Sequence, residues 1–305
     1  MMQPRITAVI PAYNAAKYVH LAIESVMSQT FPVDELIVVD DGSSDNTAET
    51  VLKLAERYEG KVRLVSQVNG GPGAARNHGV KVASGDWIAL LDADDIWKLD
   101  KLEKQVPYTK DETIGIVQAW SPKEVSQPPT YIDFERLWTK NCVANSSVLI
   151  RKKAFEEVGG VDEDRGLIAV EDYNLWLRVS FAGWKIVTHH EELVEYLCAP
   201  GHLSSQLDRA IAAEFANLDN IADRLSLPAE KVHTKRMRLY GEMGRYLLYH
   251  RKQESARILL STALKDRFTP NRLFWWLATF VPSPVLNLRR KLPLKNGIAI
   301  TEGKS

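Results

Sequence analysis

Short runs of apolar residues alternate with longer amphipathic segments over the first 92 positions of the chain. The apolar runs have the length of buried strands, and the segments between them repeat apolar residues every three or four positions, which is typical of helices. Strands that alternate with helices in this way predict a parallel α/β sheet buried on both faces. The predicted strands are 6–10, 36–40, 62–67 and 87–92, and the predicted helices are 15–29, 45–58 and 73–83.

Each predicted strand is followed by a polar or glycine-rich cluster, and these clusters are 11–14, 40–45, 69–73 and 92–95. In open α/β sheets, ligands bind beyond the carboxyl ends of the strands. Because all four clusters fall at that edge, the sequence predicts a ligand site there.

The pattern becomes mixed after residue 114. Strands are predicted at 114–120, 144–151 and 184–188, with a helix at 173–182. Everything beyond residue 207 looks helical, and we expect a helical hairpin from 238–249 and 254–264. The prediction is therefore an α/β domain over 1–205 and a helical accessory region over 206–305.

Charge and cysteine content exclude some classes of protein. The 305 residues carry a formal net charge of zero, which argues against a general nucleic-acid binder. The two cysteines, Cys142 and Cys198, form no C-x-x-C pair, so a reducing cytosolic compartment is favoured. No apolar run reaches about 18 residues, and no membrane-spanning helix is expected. Between residues 289 and 305, however, five basic residues accompany one acidic residue.

The segment LLDADDIW at 90–97 places Asp92, Asp94 and Asp95 directly after a predicted buried strand. Mutual repulsion disfavours this arrangement unless a cation lies nearby, and hard cations take oxygen ligands. A solvated turn is the alternative interpretation.

Several common nucleotide and calcium motifs do not fit the chain. The glycines at 71 and 73 are followed by Arg76, where a dinucleotide fingerprint needs glycine or alanine, and no G-K-[ST] sequence occurs. The acidic run that begins at Asp41 has Asn46 and Leu52 where a calcium loop needs glycine and glutamate.

Four segments taken together resemble the inverting nucleotide-sugar glycosyltransferases of family 2. They are VIPAYNAAKYVHLAIESVMSQTF, ELIVVDDGSSDNTAE, NGGPGAARNHGVKVASGDWIALLDADDIW and, much later, VEDYNLWLR. The resemblance implies a GT-A fold, a Rossmann-like mixed sheet flanked by helices, with an α-helical C-terminal extension. It also implies metal-assisted transfer of a sugar from a nucleotide diphosphate sugar, a UDP-sugar, to an acceptor hydroxyl in polysaccharide or glycolipid synthesis.

On the donor side, the resemblance implies that Asp94 is the direct ligand of Mn²⁺ or Mg²⁺. Asp92 is expected to contact ribose or sugar hydroxyls, and Asp95 to begin the next helix. Arg76 is expected to pair with phosphate or the donor sugar; a solvated surface arginine is the alternative.

The implied nucleotide pocket draws on the first three clusters. Tyr13 is expected to offer its ring face to the base, and Asp41 to accept from the uracil N3–H. A turn or helix-capping carboxylate is the alternative role for Asp41. The other expected members of the pocket are Pro11, Asn14, Asn69 and Gly70.

Glu171 and Asp172 are expected to open a helix. Inverting transfer needs a carboxylate that takes the acceptor proton, and Asp172 matches the base of the family's E-D motif. Glu171 would orient that base or the acceptor. The alternative is that both carboxylates only favour the positive helix end. His202, in GHLSS, matches a position that touches pyrophosphate or metal in some relatives, or else it is an ordinary loop histidine.

A second hypothesis is a catalytically silent sugar-nucleotide-binding or scaffold subunit of a polysaccharide assembly complex. The joint presence of Asp94 and Asp172 favours the enzyme. The expected partners are a nucleotide-sugar donor and a saccharide or lipid-linked acceptor. The aromatic segment 274–280 beside the basic cluster indicates either peripheral membrane contact or a helix packed on the catalytic domain. We expect a cytoplasmic location, and a position at the inner face of the membrane if the peripheral membrane contact forms.

Overall fold

The computed structural model describes residues 3–120, 129–197, 207–282 and 286. The strands of this part are β1 (Ile6–Ala12), β2 (Glu35–Asp40), β3 (Val62–Ser66), β4 (Trp87–Leu90), β5 (Asp95–Trp97), β6 (Ile114–Trp120), β7 (Tyr131–Ile132), β8 (Leu149–Arg151), β9 (Lys185–Glu192) and β10 (Val194–Tyr196). The helices are α1 (Val19–Met27), α2 (Thr47–Arg57), α3 (Pro72–Val82), α4 (Lys101–Gln105), α5 (Phe134–Thr139), α6 (Lys152–Glu157), α7 (Glu171–Phe181), α8 (Leu207–Arg224), α9 (Ala229–Tyr249), α10 (Gln253–Asp266) and α11 (Pro270–Ala278).

Strands of the described part form one large mixed sheet in the order β3-β2-β1-β4-β8-β6-β9-β7. Strands β1 to β4 are parallel, as the alternating pattern predicts. Strand β8 runs antiparallel to both β4 and β6, and β7 runs antiparallel to β9. A sheet of this kind, flanked by helices, confirms the predicted fold class.

Helices cover both faces of the sheet at β1. On one face, Ile10 belongs to the same buried cluster as Ile23 of α1. On the other face, Gly79 of α3 lies so close to Val9 that a Cβ at position 79 would be 2.4 Å from a Val9 methyl. The absence of a side chain at Gly79 therefore lets α3 pack against the strand. This packing fixes where α3 begins, at the edge where the strands end.

Two predicted elements are shorter than expected. Helix α1 begins at Val19 instead of residue 15, and a turn at 16–18 precedes it. The Ala15 N–H donates to the Thr47 hydroxyl (2.8 Å) and the Ala16 N–H to the Asp45 carboxylate (3.1 Å), which ties this turn to the start of α2. The strand predicted at 144–151 is limited to β8, and Asn145–Ser147 form a 3₁₀ turn before it.

The prediction that Asp95 begins a helix is wrong. Asp95 begins β5, which pairs antiparallel with β10 so that Asp95 lies opposite Tyr196. Its carboxylate accepts a hydrogen bond from the Ser146 hydroxyl (2.5 Å), and the next helix begins only at Lys101. Strand pairing across about 100 residues of sequence therefore prevails over the local preference of a carboxylate for a helix start.

The chain divides into two compact units, one reaching Ala213 and the other beginning at Glu214. The boundary predicted between 205 and 206 stays a prediction. In the second unit α9 and α10 form the expected hairpin, where a Cβ at Gly244 would lie 2.6 Å from a Leu260 carbon. Helix α11 is bonded to α10 through the Trp276 indole and the Ser261 hydroxyl (2.9 Å). None of the described helices has the length and hydrophobicity needed to cross a bilayer.

Candidate active site

The clusters that follow β1, β2, β3 and β4 meet at one edge of the sheet, as predicted. Backbone bonds hold them together there: the Asp41 N–H donates to the Ala12 carbonyl (2.8 Å), and the Gln67 N–H to the Asp40 carbonyl (3.0 Å). Because the strands are parallel and in register, residues far apart in sequence become neighbours at this edge.

Asp41 organises the glycine-rich loop after β3. It is only 3% exposed, and its Oδ1 accepts from the Gly70 N–H (2.7 Å) and the Gln67 amide (2.8 Å), while its Oδ2 accepts from the Gly71 N–H (2.8 Å). The Asn69 amide donates to the Asp41 carbonyl (3.0 Å). Asp41, Asn69 and Gly70 are thus brought together, and the Asp41 carboxylate is already an acceptor for three donors of the fold.

Pro11 lies near the end of β1, and Tyr13 and Asn14 follow the strand. Tyr13 is 56% exposed, so its ring is accessible at the edge. Asn14 has a φ of 49°, which asparagine tolerates better than most residues. Its Oδ1 accepts from the Ser44 N–H (2.8 Å), and its own N–H donates to the Ser43 hydroxyl (2.9 Å). Asn14 therefore joins the cluster after β1 to the cluster after β2.

Arg76, on α3, lies at the centre of the site with only 5% of its surface exposed. Its Nη2 donates to Asp92 (2.8 Å) and its Nη1 to Glu171 (2.6 Å). Burial by itself lowers the pKa of Arg76, but the two carboxylates outweigh it and raise that pKa above the ordinary value. The solvated surface arginine is excluded. A contact with phosphate or donor sugar stays a prediction.

The carboxylates after β4 differ in exposure. Asp92 and Asp94 are partly exposed, whereas Asp95 is buried. The Asp92 Oδ1 accepts from Asn145 (2.8 Å) as well as from Arg76, and the Asp92 N–H donates to the Ser146 hydroxyl (3.1 Å). Asp94 therefore lies in a turn whose flanking residues are bonded to the fold.

Glu171 and Asp172 open α7, as the sequence predicts. Glu171 is 6% exposed, and its second oxygen accepts from the Ala169 N–H (2.8 Å). The backbone of Ala169 has a φ of 87°. Desolvation of the Asp172 carboxyl and the negative charge of Glu171 raise the pKa of Asp172 to about 7, against the opposing charge of Arg76. A carboxyl with this pKa exchanges protons near neutral pH, as a general base requires.

The sequence patterns did not single out Arg165, Asn145 or Ser146. Arg165 belongs to the segment before α7, and its Nη2 donates to both the backbone (2.6 Å) and the side-chain oxygen (3.0 Å) of Asn69. Asn145 and Ser146 bond the loop after β4. A run of small polar residues, NSS, before an apolar strand was the available signal for the latter pair. His202 lies outside the described residues.

Residues 7–159 match the family model described as glycosyl transferase family 2. The chain belongs to glycosyltransferase family 2. It is 29% identical over 297 residues to the succinoglycan biosynthesis protein ExoO of Rhizobium meliloti (strain 1021), a match that covers 88% of this chain and 84% of that protein. Three bacterial glycosyltransferases without assigned roles match at 33% to 39% identity, and the matched region of this chain spans only 31% to 35% of their length.

Two solved structures are similar to this glycosyltransferase. One is the mannosyltransferase PcManGT from Pyrobaculum calidifontis in complex with GDP-Man and Mn²⁺, with a TM-score of 0.64 and 18% identity over 95% of this chain and 89% of that one. The other is S. aureus TarS 1-349 in complex with UDP-GlcNAc, with a TM-score of 0.60 and 18% identity over 93% and 83% of the two chains. At this identity the likeness shows the fold alone.

The carboxylates of this family 2 glycosyltransferase suit a divalent metal that is shared with a substrate. No group of three or more His, Cys, Asp or Glu side chains in the described part is placed to hold a metal by protein ligands alone. Mg²⁺ is commonly held by one or two carboxylates together with substrate phosphates. The Asp92, Glu171 and Asp172 carboxyls interact around one cation, Arg76, and this excess of negative charge fits a divalent ion beside them.

Proposed function

We propose that this glycosyltransferase moves a sugar from a UDP-sugar to an acceptor hydroxyl with inversion at the anomeric carbon. One observation carries the proposal: Arg76 bonds Asp92 and Glu171 at once, beside the Asp172 carboxyl with its pKa of about 7. The Arg76 guanidinium thereby connects two groups of carboxylates. Asp92 belongs to the cluster that we expect to bind the donor, and Glu171 belongs to the pair that we expect to bind the acceptor. A silent binding subunit has no need of a carboxyl poised to take a proton.

The reaction is a single displacement at the anomeric carbon. The acceptor oxygen forms the new bond to that carbon while its proton passes to the Asp172 carboxylate. The bond from the anomeric carbon to the phosphate oxygen breaks, and the nucleoside diphosphate leaves with the electron pair. Attack from the face opposite the leaving group inverts the configuration. Glu171, which is fixed by Arg76 and the Ala169 N–H, holds the first turn of α7 and so orients Asp172.

The donor nucleotide is proposed to lie over the clusters after β1, β2 and β3. The exposed ring of Tyr13, beside Pro11, offers a stacking face for the base. A carboxylate oxygen can accept two hydrogen bonds, and the Asp41 Oδ2 accepts one, from Gly71, within the described residues. The second lone pair suits an imide N–H, which uracil carries at N3. Asn14, Asn69 and Gly70 complete the pocket.

Asp94 is proposed to hold Mn²⁺ or Mg²⁺ together with diphosphate oxygens. When bound, such an ion acts as a Lewis acid that stabilises the charge growing on the leaving diphosphate. Asp92, bonded to Arg76 and Asn145, is placed to meet the ribose or sugar hydroxyls. A contact of His202 with the pyrophosphate or the metal remains a sequence-based proposal.

The process is proposed to be the synthesis of a polysaccharide or glycolipid, with a saccharide or lipid-linked acceptor. The name of the Rhizobium relative, a succinoglycan biosynthesis protein, supports the first of these. A lipid-linked acceptor is supported by the second unit. There Phe274, Leu277 and Phe280 are 46%, 51% and 52% exposed, and a basic sequence follows them. Exposed aromatic and aliphatic side chains beside cations favour an anionic bilayer surface.

Liposome flotation tests the membrane contact. We expect the wild-type protein to float with anionic vesicles at low salt, and Phe274→Glu/Leu277→Glu to lose most of that recovery. Leu52→Glu is the matched control, because Leu52 is equally exposed (53%) on α2 of the catalytic unit. Equal recovery of all three proteins eliminates the contact.

The proposed reaction is tested by a screen of nucleotide sugars for Mn²⁺-dependent hydrolysis, followed by proton NMR of the sugar released in the first minutes. From an α-linked UDP-sugar we expect the β-anomer to appear first, before mutarotation. An initial α-anomer contradicts inversion, and release that is independent of added metal in chelator-treated protein contradicts metal assistance.

A further inference from the structure

A buried 3₁₀ turn, Asn145–Ser147, lies against the loop that carries Asp92, Asp94 and Asp95. Asn145, Ser146 and Ser147 are 8%, 1% and 1% exposed, although all three are polar. Buried polar side chains are normally retained only where they are hydrogen-bonded. The partners of Asn145 and Ser146 are in the aspartate loop.

Asn145 bonds the first aspartate of the loop. Its Nδ2 lies 2.8 Å from the Asp92 Oδ1, the same oxygen that accepts from Arg76. Since an ionised carboxylate only accepts hydrogen bonds, the amide nitrogen of Asn145 must face it. Two donors from different elements therefore fix the rotamer of Asp92.

Ser146 bonds the loop on both sides of Asp94. Its hydroxyl oxygen accepts from the Asp92 N–H (3.1 Å), and its hydroxyl proton is donated to the Asp95 carboxylate (2.5 Å). A single side chain thus fixes the residues at both ends of the turn that contains Asp94. The Ser146 carbonyl also accepts from the Trp97 indole (2.7 Å), which holds the end of β5.

The turn itself is held to the sheet from behind. The Gln105 amide donates to the Ser147 carbonyl (2.8 Å) and to the Val117 carbonyl of β6 (3.1 Å). Its oxygen in turn accepts from the buried Lys101 amine (2.7 Å). The turn is therefore a rigid support, so the position of the aspartate loop is set by the core of the sheet.

We propose that Asn145 and Ser146 are positioning residues that preorganise Asp92 and Asp94 for the divalent metal and the donor. This inference rests on the proposed function, because it assigns the two residues a role only if the aspartate loop holds the metal. Preorganised ligands bind more tightly, since little ordering remains to be done on binding. Loss of the Ser146 hydroxyl should therefore weaken Mn²⁺ binding.

The test compares Ser146→Ala with Ser147→Ala. The two serines are adjacent and equally buried, but the Ser147 hydroxyl donates to the carbonyl of Ala144, the residue before the turn (2.7 Å), and not to the aspartate loop. Mn²⁺ binding is measured by electron paramagnetic resonance of the free ion, with UDP and with GDP present, and thermal unfolding is recorded for each protein. We expect Ser146→Ala to raise the apparent dissociation constant of Mn²⁺ about tenfold and Ser147→Ala to change it less than twofold. A purely structural role would lower the melting temperatures of both variants and shift the metal affinity of neither.

Asn145→Ala supplies a second measurement, which also serves if Ser146→Ala does not fold. The substitution removes one of the two donors to the Asp92 Oδ1 and leaves the bond from Arg76, so we expect Mn²⁺ affinity to weaken about threefold to tenfold. Unchanged Mn²⁺ affinity in folded Ser146→Ala and Asn145→Ala overturns the positioning role while leaving the proposed function intact. If wild-type protein binds Mn²⁺ with neither nucleotide, the metal part of the proposed function fails and the inference fails with it.

Discussion

Two pairs of adjacent carboxylates, Asp94–Asp95 and Glu171–Asp172, share one design. In each pair one member is 6% exposed and bonded into the fold, Asp95 in the first and Glu171 in the second. The other member, Asp94 or Asp172, is partly exposed. In each pair, therefore, one carboxylate, the anchor, is buried and bonded into the fold, and its neighbour is partly exposed.

The anchors of the two pairs differ in charge. Asp95 bonds the neutral Ser146 hydroxyl, whereas Glu171 bonds the Arg76 guanidinium and a backbone N–H. The negative charge of Glu171 contributes to the raised pKa of Asp172. In the proposed mechanism the first pair needs a fixed position for a metal ligand, and the second needs a tuned base. A buried carboxylate can therefore set the chemistry of its neighbour as well as its position.

The largest effect is expected from Asp172→Asn. Removal of a general base lowers rates by about 10² to 10⁴, and donor binding should persist because the proposed donor contacts do not include Asp172. The measurements are kcat for transfer and calorimetry of UDP binding. As the folded-state pKa of Asp172 is raised, its ionisation destabilises the fold as pH rises through about 7. The variant should therefore be at least as stable as wild type at pH 8. Loss of UDP binding would move Asp172 to the donor pocket.

Asp94→Asn should lower turnover by about 10² to 10³, because the proposed metal supplies several kcal/mol of transition-state stabilisation. The side-chain volume is kept, so the melting temperature should change little. Initial rates at rising Mn²⁺ concentration check the assignment. Wild-type turnover of the variant at limiting Mn²⁺ would show that Asp94 does not hold the metal.

Glu171→Gln probes the charged anchor. Removing the partner of a buried charge costs about 3–5 kcal/mol, and the loss of stability should lie below that range here because Asp92 still pairs with the Arg76 guanidinium. Loss of the Glu171 charge also removes one cause of the raised Asp172 pKa, so the acidic limb of the pH–rate profile should move to lower pH. Urea unfolding and the pH profile measure the two effects. An unmoved acidic limb would mean that Glu171 does not tune Asp172.

Asp95→Asn probes the neutral anchor, and the smallest effect is expected here. The amide oxygen can still accept from Ser146, so the loss of stability should be about 1 kcal/mol. The same urea unfolding experiment checks it. A loss as large as that of Glu171→Gln would abolish the distinction between the two anchors.

The sequence predicted what depends on local pattern. Apolar runs located β1 to β4, and their parallel arrangement brought Asp41, Asn69 and Asp92 to one edge. The local sequence also predicted that Glu171 and Asp172 open a helix. The family match and the structurally similar proteins confirm the resemblance and the GT-A type of fold.

Contacts over long sequence separations were not predictable in this way. Arg76 bonds Glu171 across 95 positions, and Ser146 bonds Asp95 across 51. Asp95 lies in a strand because β5 pairs with β10. The local propensity of the segment around Asp95 holds no information about that distant strand. Propensity describes a segment alone, and tertiary pairing overrides it.

The proposed role of Asp172 as the base is tested most directly by the pH dependence of kcat/KM for transfer, measured for wild type and Asp172→Asn. The base must be ionised to accept the acceptor proton, and burial together with the Glu171 charge raises its pKa to about 7. We therefore predict that the wild-type kcat/KM has an acidic limb with a midpoint near pH 7, and that it falls about tenfold for each pH unit below that midpoint. The residual activity of Asp172→Asn should lack this limb. The same acidic limb in both proteins would contradict the assignment of Asp172 as the base.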